Sequence, residues 1–430
     1  MDWWQSLVHV CRRWRSVVFR SPRRLHLRLC CTAITPVRDT LDVWPPFPLI
    51  IDDTASPTEY MDNVVAALER RDRVDKIRLF EVNRSSLEKV LAAMQEPFPE
   101  LTNLQMWSYE ETVPIVPDSF LGRSAPRLRR LQLSRIPFPG LPKLLLSATN
   151  LVVLQLWNIP HSGYISPDAL SSLTSLQILE LRFRSPRSHP DQASRLPPPS
   201  TRTVLPALTK IGFKGVCEYL DDLVALIDAP QLNKLCITFF NDVIFDAPRF
   251  IQFITRTPTL KASENAHVVF GHRKAIINSS YLCEVGISCR ELDWQISSLE
   301  QLCASHFPPL STLEDLYIYE PLHGEQPDWR DNIEDTLWLD LLHRFSTVKN
   351  LYLSKEFAPR IVAALQGLGV VRTTEVLPAL QNIFLEEVEP AGRAQEDIGR
   401  IVTARRLFGH TITISHWKRD PMQDRSLSYW

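Results

Sequence analysis

Cys303-x-x-His306, with Cys283 and Cys289 upstream, brings together residue types that hold soft divalent metals. The spacing fits no standard zinc module, and Cys303 also sits at helix-core spacing from Leu299, the place of a packed thiol. Gly367-Leu368-Gly369 has the residue type of a phosphate loop. A helix rather than a strand precedes it, which makes it a helix stop. Asn83-Arg84-Ser85 and Asn278-Ser279-Ser280 are glycan-acceptor triplets, relevant only to a secreted chain, and no signal-peptide pattern is present. No serine, histidine and acid fall in a nucleophile-elbow context. The expectation is a chain with no catalytic residues, no cofactor and no metal of its own.

What remains is contact chemistry. Trp107, Gln132, Trp157 and Arg182 in the first half, and Tyr317, Tyr319 and Tyr352 in the second, alternate with leucines or isoleucines. Gln105, Gln155, Glu180, Asn350 and Phe384 hold equivalent places. Successive side chains of a strand point to opposite faces, so these residues share the face away from the buried leucines. Interfaces favour Trp, Tyr and Arg, and this surface is the expected site for a target protein.

The elements that must position these residues recur along the chain. Pro126-Arg127-Leu128-Arg129-Arg130-Leu131-Gln132-Leu133 is the clearest copy. Pro99-Glu100-Leu101, Pro206-Ala207-Leu208, Pro230-Gln231-Leu232 and Pro378-Ala379-Leu380 each lead into the same alternation. Leu151/Leu154/Leu156, Leu176/Leu179/Leu181 and Leu313/Leu316/Ile318 keep the spacing without the proline. The proline ends a preceding helix, and the Leu-x-Leu behind it reads as a short strand with one apolar face. Such a strand cannot bury that face alone, whereas stacked copies can. Ile77 to Leu104 and Leu104 to Leu131 are each 27 residues, Leu131 to Leu154 is 23, and Leu154 to Leu179 is 25. These are leucine-rich-repeat periods. Leu179 to Ile211 is 32, the excess lying in a Pro/Ser/Arg-rich stretch that reads as a surface loop over 185–203.

The predicted architecture is α/β: a curved, mostly parallel sheet with helices on its convex side, over 29–410, with a last strand and polar tail over 411–430. Helices are expected over Tyr60–Arg70, Ser85–Met94 with a Ser85/Glu88 capping box, Tyr219–Ile227, Phe250–Thr255, Leu299–Cys303, Ile333–Phe345 and Ile361–Leu365. Across 260–300 the pattern is irregular, with Val268-Val269-Phe270 and Val285-Gly286-Ile287 as strand candidates. The usual asparagine or cysteine ladder is missing, since Tyr109, Ile136, Ile159 and Phe240 occupy that place. At 430 residues the chain exceeds one compact core, and its net charge of −1 carries no global field toward nucleic acid. Proline at 33 against glycine at 13 suits many turns with few left-handed positions. No apolar run is long enough to span a membrane. The eight cysteines mostly sit inside apolar patterns and read as reduced thiols of an intracellular protein, cytoplasmic or nuclear.

The N-terminal stretch is of another kind. Trp4, Leu7, Val8, Cys11, Trp14 and Val18 recur at helical spacing over Trp3–Phe19, and Ser21-Pro22 stops the pattern. Seven arginines stand in the first 28 residues against one acid, Asp2. A nucleic-acid arm would use the arginines, but tryptophans at helix-face spacing argue for packing. Leu7-Val8-His9-Val10-Cys11-Arg12-Arg13-Trp14-Arg15, followed by Ser21-Pro22-Arg23-Arg24-Leu25, resembles the second half of an F-box. Together with the repeats, the chain resembles the fungal F-box/leucine-rich-repeat proteins, with an N-terminally truncated F-box over 1–28.

That resemblance implies a non-catalytic substrate-recognition subunit of an SCF-type (Skp-cullin-F-box) E3 ubiquitin ligase. Trp4, Leu7, Val8, Val10, Cys11 and Trp14 would contact a Skp-type adaptor, and the repeats would hold a target protein; no nucleic-acid or membrane partner is expected. The family's first helix is absent from the sequence, which implies weak adaptor binding or none. Trp14 is expected to pack against a first strand over Leu25–Leu29. A leucine-rich-repeat scaffold without a ligase link is the alternative.

Overall fold

The computed structural model describes residues 10–20, 28–43, 46–53, 61–139, 141–160, 165, 167–188, 202–240, 247–260, 264–279, 283–304, 310, 312–322, 333–367, 375–386 and 412–419. The chain divides into two compact units. One comprises Met1–Thr209 with Leu226–Ala229, and the other Lys210–Ala225 with Pro230–Trp430. Both are α/β and are built on a mostly parallel sheet.

In the first unit the strands β1 (Leu29–Cys31), β2 (Leu49–Asp53), β3 (Val74–Leu79), β4 (Asn103–Trp107), β5 (Arg130–Ser134), β6 (Val153–Ile159) and β7 (Ile178–Phe183) lie side by side in chain order. All six pairings are parallel. The helices α1 (Arg12–Arg20), α2 (Val37–Val43), α3 (Met61–Leu68), α4 (Arg84–Ala93), α5 (Leu141–Leu145) and α6 (Pro167–Ser171) belong to the same unit. Leu104 pairs with Ile77 and Leu131, and Leu131 with Leu154, so the first leucine of each strand stacks on the next. These leucines are fully buried, as are Leu87 and Val90 of α4 and Leu145 of α5. A small separate parallel ladder joins β8 (Thr203–Val204) to β10 (Ile227–Asp228). Thr203 was expected in the loop over 185–203, and the rest of that loop beyond Ser188 lies outside the described residues up to Arg202.

The prolines do more than stop helices. Leu101 N–H donates to Phe98 O, Leu128 to Ala125 O, Leu208 to Leu205 O and Leu380 to Leu377 O. Each bond closes a four-residue turn whose second position is the proline, where its fixed φ is already correct. Leu151, Leu176 and Val348 close the same turn without proline. The turn delivers a buried residue at its fourth position, and the strand starts two residues later.

The second unit orders its main sheet β9 (Lys210–Gly215), β11 (Lys234–Phe240), β14 (Cys283–Ser288), β13 (Ala275–Ser279), β12 (Asn265–Phe270), β15 (Asp315–Tyr319), β16 (Asn350–Leu353), β17 (Asn382–Glu386), β18 (Thr413–Trp417). Its helices are α7 (Cys217–Ala225), α8 (Pro248–Arg256), α9 (Leu292–Ala304), α10 (Asp335–His343) and α11 (Phe357–Gly367). The irregular stretch contains both expected strands and a third, β13, between them. β13 is antiparallel to both neighbours, which reverses the strand order locally. Gly286 sits opposite Ile276 there, and a Cβ on it would meet Ala275 O at 2.9 Å.

Several expectations need correction. Of the N-terminal helix expected over Trp3–Phe19, Trp3 to His9 lie outside the described residues, Val10 and Cys11 are non-helical, and the described helix runs Arg12–Arg20, with Cys11 O accepting from Arg15 N–H. Val10 and Cys11 are weak helix formers. Asn83, not Ser85, caps α4, its side chain accepting from Ser86 N–H at 2.9 Å. Cys11 and Cys30 are exposed, whereas Cys31, Cys217, Cys236, Cys283 and Cys289 are buried. Cys303 lies inside α9, and burial pushes its thiol up to about 12. Among the described residues no group of His, Cys, Asp or Glu is placed to hold a metal ion, and His306 lies outside them. Asn278 is buried, so its triplet offers no accessible acceptor. No helix among the described residues is long and apolar enough to cross a membrane.

The leucine stack sets the expected response to mutation. Leu131→Ala removes a fully buried side chain from the middle of the row and should cost about 2–5 kcal/mol. Gln132→Ala, one residue on and half-buried on the other face, should stay within about 0.5 kcal/mol. Chemical denaturation of both variants checks this, and equal effects would contradict the assignment of faces.

Candidate functional site

The candidate site is the face of the first unit's sheet turned away from the leucines. Register arranges it in rows. One row runs Lys76, Asn103, Arg130, the next Arg78, Gln105, Gln132, Gln155, Glu180, and a third Trp107, Ser134, Trp157. Neighbours within a row are about 4.8 Å apart and rows about 6.7 Å apart.

The right end of this face is internally bonded. Glu180 is buried, accepts from Trp157 Nε1–H at 2.8 Å and lies 3.5 Å from Arg182. The Arg182 guanidinium sits 5.6 Å from the Trp157 ring centroid, a cation–π contact. Trp107 is exposed at 36%. Ser134, the smallest side chain of the row, is the register partner of both tryptophans and is itself buried. The remainder of the face is under-bonded. Lys76, Arg130, Gln132 and Gln155 make no side-chain hydrogen bond or ion pair among the described residues, and all are half-buried. Gln105 donates to Asn103 Oδ1 at 3.1 Å, which leaves the Asn103 amide nitrogen open. Burial lowers the pKa of Lys76, and the nearby positive charges of Arg28 and Arg78 lower it further against the pull of Asp75.

The corresponding face of the second unit is closed on itself. His267, Tyr317, Tyr352 and Phe384 are register neighbours. Their rings stack at 4.5, 4.1 and 4.4 Å between centroids with planes 8–16° apart. Trp417 lies edge-on to Tyr317 and Tyr352 at 5.7 Å. One row back, Asn350 donates to Asp315, Asn382 to Asn350 Oδ1 at 2.6 Å, and Thr413 to Asn382. A polar ladder therefore exists, but at the strand starts on the outward face rather than in the turns. Tyr319, expected on the target-binding face, is 3% exposed. Arg419 lies over its ring at 4.7 Å and bonds Glu320 Oε1 at 3.1 Å and Glu386 Oε2 at 3.0 Å. Arg419 comes from the segment beyond the last strand, and no local pattern in the sequence around Tyr319 announces it.

The structure thus brings Trp107, Gln132, Trp157 and Arg182 together on one face of the first unit, and Tyr317, Tyr319 and Tyr352 into a separate cluster in the second. Sequence reasoning missed Lys76, Asn103 and Arg130, although the same period-two rule carried one step before each Leu-x-Leu finds them. It also missed His267, which the irregular stretch hides. Of the adaptor candidates, Val10, Cys11 and Trp14 are exposed, and Trp4, Leu7 and Val8 lie outside the described residues. Trp14, expected to be buried against the first strand, is 50% exposed. The described first strand begins at Leu29, Leu25 to Leu27 lie outside the described residues, and no described residue covers Val10, just before the helix, or Trp14 and Val17 within it. No family model matches the chain, and no curated protein matches it either.

Two outcomes follow from the closed face. Arg419→Ala leaves two carboxylates together without their shared cation and should destabilise the second unit by about 3–5 kcal/mol, read by chemical denaturation. Unchanged stability would show that the clamp carries nothing. Burial against Tyr317 and Tyr319 holds the His267 imidazole down to about 4 from 6.5. The unfolded chain therefore binds the extra proton between those values. Stability should be level above about pH 6.5 and fall below it, by up to about 1.4 kcal/mol per pH unit until about pH 4. His267→Phe keeps the stack and should lose that part of the slope; an identical pH profile for the two proteins would contradict the assignment.

Proposed function

We propose that the chain is a target-recognition subunit of an SCF-type ubiquitin ligase, built as a degenerate leucine-rich-repeat solenoid behind a partial F-box. The observation that carries the recognition half is the under-bonded, tryptophan-flanked face of the first unit. Half-buried polar groups with no partner are what a binding surface holds ready, because a partner can satisfy them with little reordering. The ligase half rests on the resemblance of residues 7–25 to an F-box. It is supported by the exposed Val10, Trp14 and Val17, which suit docking to an adaptor. In this reading the chain supplies proximity, and other subunits transfer the ubiquitin.

The second reading is a protein-interaction scaffold with no ligase link. The exposure of Trp14 favours it, since the F-box reading expects that ring to be buried against the first strand. Capture of the full chain by a purified Skp-type adaptor separates the two. The ligase reading expects measurable capture, weakened at least tenfold, about 1.4 kcal/mol, by Val10→Asp with Trp14→Asp. No capture by the parent chain, or capture indifferent to both substitutions, leaves the scaffold reading.

A further inference from the structure

The charges of the open face are not balanced internally. Asp52 lies 3.5 Å from Arg78 Nη1, Asp75 is held by Arg28 at 3.2 Å and by the Thr102 hydroxyl at 2.6 Å, and Glu180 is held by Trp157 and Arg182. Each of these three carboxylates therefore has a cation or donor beside it, through one oxygen only in the case of Asp52. Lys76 and Arg130 remain, one strand to either side of Asn103, with no side-chain ion pair among the described residues, although Asp75, already held by Arg28 and Thr102, acts on Lys76 at longer range. Two cations and an amide donor so placed, about 9.6 Å end to end, form a cradle for carboxylate oxygens. Arg78 Nε and the Oδ1 of the neighbouring Asp52 are both buried without a hydrogen-bond partner.

The tryptophan pair lies on the same face, further along the same strands. From the Lys76–Asn103–Arg130 row to the Trp107–Ser134–Trp157 row is four residues of strand, about 13 Å. Arg182 occupies one side of the Trp157 ring, and Trp107 stands across Ser134 from it. The separation of the two tryptophan strands, about 9.6 Å, admits one flat or branched apolar side chain between the rings.

We infer that this face takes an extended acidic segment of the target protein, its carboxylates on Lys76, Asn103 and Arg130 and an apolar side chain about four residues away against the Trp107/Trp157 pair. The inference rests on the reading of this face as a target-binding surface and adds the chemical class of the target. An acidic segment would supply the charge that Lys76 and Arg130 lack, and would relieve the repulsion that Arg28 and Arg78 impose on Lys76. In the equivalent row of the second unit, among the described residues, Asp315, Asn350, Asn382 and Thr413 already bond one another.

A displayed library of short random peptides, selected against the full chain at physiological salt, tests this. Recovered peptides should be net negative, with an aromatic, proline or branched apolar residue a few positions from the acids. Their affinity should fall about tenfold or more on Lys76→Glu with Arg130→Glu, and fall as salt is raised. Lys76→Arg with Arg130→Lys should retain it. Circular dichroism and thermal unfolding of each variant distinguish lost binding from lost fold, and these half-buried positions should tolerate the changes. Peptides that lose binding on Trp107→Ala yet carry no acidic bias would overturn the acidic class and leave the receptor reading standing. Tighter binding of a single-stranded oligonucleotide than of any peptide would overturn it too. Recovery of no peptide sensitive to Trp107→Ala would overturn both.

Discussion

The whole molecule hangs on the register in which one Leu-x-Leu strand lies against the next. Period two ties the two faces of a strand rigidly together, so a slip of one residue would exchange them. Leu104, Leu131 and Leu154 must stack because no single strand can hide its own leucines. Once they stack, Gln105, Gln132 and Gln155 have no choice but to form a row on the other side. The outward surface is thus fixed by inward hydrophobic burial, and the turn before each strand, with its proline or its equivalent, sets where the count begins.

Given the same scaffold, the two units treat their outward rows differently. In the second unit identical or complementary side chains on successive strands satisfy one another, as amide on amide and ring on ring. In the first unit the outward side chains of Lys76, Asn103, Arg130, Gln132 and Gln155 are long, polar and mismatched in charge, and among the described residues Lys76 and Arg130 make no ion pair. Stability is the plain consequence of the first arrangement, and recognition the reading that suits the second.

The strands were legible because a burial rule with period two writes itself into the sequence. The turns followed from proline's fixed φ, and most helices from apolar residues at three- and four-residue spacing. The antiparallel β13 was not, since Ala275–Ser279 lacks a leucine pair and its neighbours Ala266, Val285 and Ile287 are apolar on any reading. The cap at Asn83 was misplaced by two residues because Ser85 also satisfies the spacing rule, and only the extended backbone at Asn83 decides between them. Tyr319 was read as exposed because local sequence reports which face a ring is on, not what lies over it. Its cover, Arg419, is a hundred residues away. Lys76 and Arg130 were within reach of the rule but sit before the motif that drew the eye.

Arg419 also changes how the second unit can come apart. Stacked strands contact only their neighbours, so such an array can lose its end strand alone and fray inward, one rung at a time. The bonds from Arg419 to Glu320 join residues 99 apart in sequence, and the bond to Glu386 joins residues 33 apart. Together they span β15, β17 and the segment after β18. The last strand cannot peel away without also breaking contacts three strands inside. A terminal rung that would open by itself is made to open with its neighbours, so the free end of the array behaves as a latch, and this edge unfolds in larger cooperative steps than its sheet order would suggest.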